Sequence, residues 1–173
     1  MSFATAVAQV LKDEGGYSKN VATGEVVNFG ITLSFVKGEI DPTATERYIQ
    51  QLTVDIATNI YRKYFWHDPN IDLIVNDSLA SLVFYLAVNQ GIPTAIRNLQ
   101  TAVNALGGTL LVDGDLGPLS LKAINAANQE MLYATVCRKA ELRYAEVAKD
   151  PKLASDLPVW MARLDRYKQS FQA

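Results

Sequence analysis

The stretch DSLASLVFYLAVNQG, residues 77–91, is apolar on nearly every side of a helical projection. A helix hydrophobic all round is one that other elements surround, so it is read as the central buried helix. Asp77 stands where a side-chain oxygen would cap the first turn, and Gly91 ends the run. The segment is shorter than the roughly 20 apolar residues a bilayer span needs, and it contains Ser81 and Tyr85. It is a core helix, with no stable membrane insertion expected.

Working outward, apolar residues recur at helical spacing in most of the chain. Downstream, Ile96, Leu99, Val103 and Leu106 form one face that stops at Gly107-Gly108. The turn-rich segment VDGDLGP, residues 112–118, leads into a short helix at 120–125; its spacing is not that of a calcium loop. Two longer helices follow, one carrying Leu132, Val136, Ala140, Tyr144 and Val147. The other carries Trp160, Leu164, Tyr167 and Phe171 after Pro158. Upstream, a helix is expected over 51–65, with Leu52, Ile56, Ile60 and Tyr64 on one face. The first helix uses Phe3, Val7, Val10 and Leu11 and ends at Gly15-Gly16. Between Tyr17 and Thr32 the periodicity breaks, and glycines, asparagines and β-branched residues indicate loops and a short hairpin. The fold class is therefore mainly α, a helical bundle with a short N-terminal β-hairpin.

With 173 residues, 49% of them hydrophobic and 20% charged, the chain is an ordinary globular one. Sixteen Lys and Arg against 18 Asp and Glu leave a net charge of −2. No basic stripe concentrates positive charge for phosphate, so no nucleic-acid partner is expected. The single cysteine, Cys137, excludes an intramolecular disulfide and reads as a buried, inert thiol. One cysteine and one histidine, His67 at a helix end, do not make a zinc site. The N-terminal residues lack the basic region of a secretory signal. The expectation is synthesis in the cytoplasm, with help needed to reach any substrate outside it.

Glu14 lies one turn beyond the line of Phe3, Val7, Val10 and Leu11, so its carboxyl should face the core side. It also ends its helix, where the macrodipole is negative, and Asp13 adds a like charge. Partial desolvation, dipole and neighbour all disfavour ionisation and push its pKa upward. A carboxyl still protonated near neutrality suits proton donation to a glycosidic oxygen. Gly15 and Gly16 would let a bulky polymer approach. Locally, the same residues also read more simply as a charged helix end with a glycine cap.

EGGY (Glu14, Gly15, Gly16, Tyr17) followed by NFGIT (Asn28, Phe29, Gly30, Ile31, Thr32) resembles the N-terminal signature of glycoside hydrolase family 108. The likeness continues through Tyr64-Phe65-Trp66, Ala87-Val88-Asn89-Gln90-Gly91, Ala95, Leu99-Gln100 and the 112–118 segment, covering nearly the whole chain. The last of these resembles the peptidoglycan-binding segment that accompanies the family. The resemblance implies an α+β lysozyme-like fold in which 1–91 forms the catalytic part. Residues 92–173 form the wall-binding part, the two packed as one compact unit. It implies an N-acetylmuramidase, of the kind found in phage endolysins and bacterial lysins, that hydrolyses the β-1,4 bond between N-acetylmuramic acid and N-acetylglucosamine. The alternatives are a lytic transglycosylase acting on the same bond and a non-catalytic peptidoglycan-binding protein. No cofactor or metal is implied; the partner is the peptidoglycan glycan strand. A monomer is expected, acting in the periplasm or cell wall after delivery by a holin or secretion system.

The sequence departs from the family in one loop. Where relatives carry an Asp-containing DPGG-like segment, this chain reads SKNVATGEVV, residues 18–27. The place of the second carboxylate, about nine positions after the acid, is taken by Thr23. Glu25 is the candidate substitute, and a solvated hairpin charge is its simpler reading. Tyr17, Thr23, Asn28, Thr32 and Asn89 are candidate substrate-binding residues. Three of them have a structural alternative: Tyr17 as core, Thr32 as the cap of the next helix, Asn89 as an amide satisfied by backbone.

Overall fold

The computed structural model describes residues 2–21 and 23–171. Two compact units divide the chain, one over Phe3–Tyr64 and the other from Phe65 onward. The fold is mainly α with a small N-terminal antiparallel sheet, the α+β class expected from the sequence. Among the described residues no helix is long and apolar enough to cross a membrane.

The first unit opens with helix α1, Phe3–Glu14, which buries Phe3, Ala6, Val7 and Val10. Strands β1 (Ser18–Lys19), β2 (Val26–Asn28) and β3 (Ile31–Thr32) form an antiparallel sheet in that order. The β1–β2 connection is closed by Asn20 N–H donating to Glu25 O at 2.8 Å. The β2–β3 connection has only two residues, Phe29 and Gly30, because Asn28 pairs with Ile31. Both have positive φ, 53° and 76°, the backbone sign of a type I′ hairpin turn whose twist matches the flanking strands. A two-residue loop fixes register, and so fixes which face of β3 is buried.

Helices α2 (Leu33–Glu39), α3 (Glu46–Gln50) and α4 (Val54–Ile60) complete the unit. The helix expected over 51–65 is divided. Thr53 caps α4, accepting from Ile56 N–H, and beyond Ile60 the chain runs as a π-helix, Tyr61–His67. The inward line is consequently Ala57, Ile60 and Tyr61, while Ile56 is 42% exposed. A regular 3.6-residue period does not anticipate the change in phase at Tyr61.

In the second unit α5, Asp77–Gln90, has every residue from 78 to 87 buried. It packs against α6 (Ile92–Ala105) and α8 (Gln129–Val147), and α8 packs against α9 (Leu157–Lys168). Burial of Leu82 or Leu86 stabilises the unit by about 1.5–3 kcal/mol each. Tyr85 stacks on Tyr167 with ring centroids 4.5 Å apart. The helix start is capped by Asn76, which accepts from Leu79 N–H at 2.9 Å, and not by Asp77. Asp77 is the first helical residue, where its charge complements the dipole. Helix α7, Pro118–Ala126, follows the 112–118 turn. The fully buried Gln100 pins that turn, accepting from Gly114 N–H and donating to Asp113 Oδ1. Cys137 is buried, and burial pushes its thiol up to about 12. His67 pairs through Nδ1 with Asp72 at 2.6 Å.

Candidate active site

The buried stripe of α1 ends one turn before Glu14, so the helix delivers this carboxylate to the margin of its own core, half-buried. Gly15 then takes φ +72°, the left-handed conformation that terminates a helix without a Cβ penalty. No heavy atom beyond the immediate neighbours lies within 4 Å of where a Cβ would stand at Gly15 or Gly16. The chain leaving Glu14 is open on that side.

On its other side Glu14 meets the tip of the β2–β3 hairpin. A Cβ on Gly30 would come within 2.8 Å of Glu14 Cγ and 2.7 Å of the Tyr61 hydroxyl. Only a glycine lets these two side chains converge on the turn. Tyr61 is buried, and its O–H donates to Phe29 O at 2.9 Å. That bond holds Phe29 at φ 53°, an uncommon conformation for a bulky residue. Burial first, and the adjacent Glu14 charge second, raise the Tyr61 phenol far above its ordinary value. It therefore stays a neutral donor at any physiological pH.

The other candidates are placed as follows. Glu25 accepts from Ser34 N–H at 3.2 Å at the start of α2. The hydrogen bonds from Ser34, with those from Leu33 and Val26, hold its carboxyl below the usual range. Thr32 is the α2 cap, accepting from Phe35 N–H at 3.1 Å. Thr23 lies in the exposed β1–β2 loop, its Oγ1 accepting from Glu25 N–H at 3.3 Å. Thr23, Glu25 and Thr32 thus gather around one hairpin and one helix start. Asn28 is buried and donates from Nδ2 to Ile49 O at 3.0 Å, tying β2 to α3. Tyr17 is 41% exposed, and its hydroxyl donates to Glu46 Oε1 at 2.6 Å. Lys19 reaches the other oxygen of Glu46 at 2.7 Å. The lysine first, and Tyr17 next, keep the Glu46 carboxyl below its ordinary range. In the second unit, Asn89 is half-buried near the end of α5 and donates from Nδ2 to Tyr85 O at 2.9 Å.

Sequence reasoning did not single out Tyr61, Glu46 or the contact between Gly30 and Glu14. Gly30 between β-branched runs marks a turn, but a Phe-Gly pair is not one of those that signal a two-residue hairpin, so its register was not legible. Tyr61 had no such signal, because its inward direction depends on the π-helix. Among the described residues, no group of three or more His, Cys, Asp or Glu is placed to hold a metal ion.

Residues 7–91 match the family model described as Glycosyl hydrolase 108, and residues 94–167 match that of the Predicted Peptidoglycan domain. Among solved structures, the chain is similar to one described as Brucella abortus SagA, with a TM-score of 0.80 and 24% identity. The match covers 96% of this chain and 91% of that one, and at this identity it bears on the fold alone. No curated protein matches the chain.

Proposed function

We propose, for a chain that belongs to the glycosyl hydrolase 108 family, that it is an N-acetylmuramidase with Glu14 as its general acid. Glycoside hydrolysis and a peptidoglycan partner come with the two family matches. The bond and the residues are our reading. The reaction is hydrolysis of the β-1,4 link between N-acetylmuramic acid and N-acetylglucosamine. Glu14 gives its proton to the leaving oxygen as the anomeric C–O bond breaks, and water adds its oxygen to that carbon. The proton water sheds restores the acid.

The observation that carries this reading is the two-sided setting of Glu14. Its stem is backed by Gly30 and the neutral Tyr61, while the Gly15-Gly16 side is clear. Gly15 has a conformational reason to be glycine. Gly16 has neither positive φ nor a crowding neighbour, and the open space beside it leaves room for a polymer. Glu25, held below the usual carboxylate range first by the Ser34 side chain and then by backbone N–H groups of Ser34, Leu33 and Val26, is suited to the opposite role of a charged carboxylate. It would stabilise the developing positive charge on the sugar or orient the attacking water. Tyr17 offers a ring for sugar stacking, steadied through its hydroxyl by Glu46. Residues 1–91 would cut and 92–173 would hold the wall. A substrate outside the cytoplasmic membrane calls for delivery by a holin or a secretion apparatus, with the enzyme acting as a monomer in the manner of an endolysin.

Mass spectrometry of the fragments released from purified peptidoglycan tests the bond and the outcome together. The expected product is a hydrated N-acetylmuramic acid reducing end. An end lighter by one water would make the enzyme a lytic transglycosylase, and a reducing N-acetylglucosamine would place the cut at the other link.

A further inference from the structure

The second unit holds a depression of about 230 Å³ lined by Asn89, Gln90, Arg143, Tyr144, Val147 and Trp160. We propose that it binds the free C-terminal carboxylate of a peptide with a small apolar last residue, such as the terminal alanine of a peptidoglycan stem peptide. The inference rests on the peptidoglycan reading above and adds the peptide to the glycan as something this chain recognises.

Four features converge. Gln90 Oε1 accepts from Asn98 Nδ2 at 3.1 Å, which fixes the nitrogen as the other end of the amide. That nitrogen is shielded from water and has no hydrogen-bond acceptor. A covered donor without a partner costs about 1–3 kcal/mol and calls for an explanation. Arg143 makes no ion pair among the described residues, and none of the six lining residues is acidic. Arg143 is exposed on the same depression, and its guanidinium, with the Gln90 amide once that side chain turns outward, suits a carboxylate, which accepts several hydrogen bonds at once.

Asn89 supplies the complementary group. Its Nδ2 is committed to Tyr85 O, so Oδ1 is the end left to accept a peptide N–H. Trp160, whose ring centroid lies 5.5 Å from that of Tyr144, forms an apolar wall with Val147. The volume is below the roughly 300–1,000 Å³ of drug-sized pockets, so it admits one small residue and not a disaccharide. Donors for a carboxylate, an acceptor for an N–H and an apolar wall for a methyl group describe a C-terminal alanine.

The test is titration calorimetry on the full chain carrying Glu14→Gln, which should slow turnover of a glycan probe. The probes are a synthetic stem tetrapeptide ending in free D-alanine, the same peptide as its C-terminal amide, and chitotetraose. The free acid should bind, the amide at least about tenfold more weakly, and Arg143→Gln should remove that difference. Trp160→Ala should weaken the free acid while circular dichroism stays unchanged. Equal binding of acid and amide, indifference to Arg143→Gln, absence of peptide binding, or Arg143-dependent binding of chitotetraose alone would each overturn the proposal. The acid-versus-amide comparison needs no variant at position 143, so a misfolded mutant cannot decide the matter. If the parent cuts walls and the peptide does not bind, this inference fails alone. If the peptide binds and the parent releases no fragments, the muramidase reading fails instead.

Discussion

At the scale of single residues, Gly30 is the position with least freedom. Replacement by alanine would put a methyl group into Glu14 Cγ and the Tyr61 hydroxyl, at a φ of 76° that side chains avoid. Such a substitution destabilises by more than about 1 kcal/mol. Thermal denaturation should show Gly30→Ala melting well below the parent, with wall-cutting activity falling alongside. Gly16→Ala, where no clash or strain arises, should leave the melting temperature unchanged. A milder effect is expected at Tyr61→Phe, which keeps the ring and loses the bond to Phe29 O. Chemical denaturation should report a loss of roughly 0.5–1.5 kcal/mol. The position of Glu14 at the margin of the α1 core was legible in the sequence from its place on the apolar stripe. Its neighbours were not, because the hairpin tip and Tyr61 reach it from 16 and 47 residues away in the chain.

At the scale of elements, helices with a long apolar stripe or a continuous apolar run were readable from sequence. Helix α5 is the clearest instance, since ten adjacent buried residues have no alternative to a surrounded helix. Short elements were harder. Helix α3 has five residues, too few for a period to repeat, and α4 passes into a π-helix that shifts the inward face. The start of α5 shows the usual one-residue ambiguity between adjacent capping side chains, and Asn76 takes the role. The two positions separate in equilibrium denaturation. Asn76→Ala should cost about 1 kcal/mol, the typical worth of an N-cap. Asp77→Ala should lose only the weaker dipole interaction, about 0.3–1 kcal/mol, and that loss should shrink with added salt. Glu25 reads in the sequence as a hairpin charge, and its partner Ser34, nine residues on at the start of α2, appears only in the folded chain.

At the scale of the whole molecule, charge sets the pH range of stability. Glu25, Asp41, Glu46 and Asp113 are all held below their ordinary values, first by hydrogen bonds from Ser34, Thr43, Lys19 and Gln100 respectively. A carboxylate depressed in the folded state contributes stability above its unfolded pKa and loses it as pH falls through the folded value. Lys19 and Lys168 are raised, chiefly by Glu46 and Glu141, so their contribution is intact below the unfolded lysine value and is lost above it. Melting temperature should therefore be flat across neutral pH and decline below about pH 4, the ordinary carboxylate range. The acid limb should flatten in high salt, because these groups are at the surface.

The central claim concerns one proton. Glu14→Gln retains size and hydrogen-bonding capacity and removes only the ability to donate it. Release of reducing ends from purified peptidoglycan, measured beside circular dichroism, should fall about 10²–10⁴-fold, the usual contribution of a general acid, with the folded signal intact. A Glu14→Gln protein that releases reducing ends at the parental rate would contradict the account.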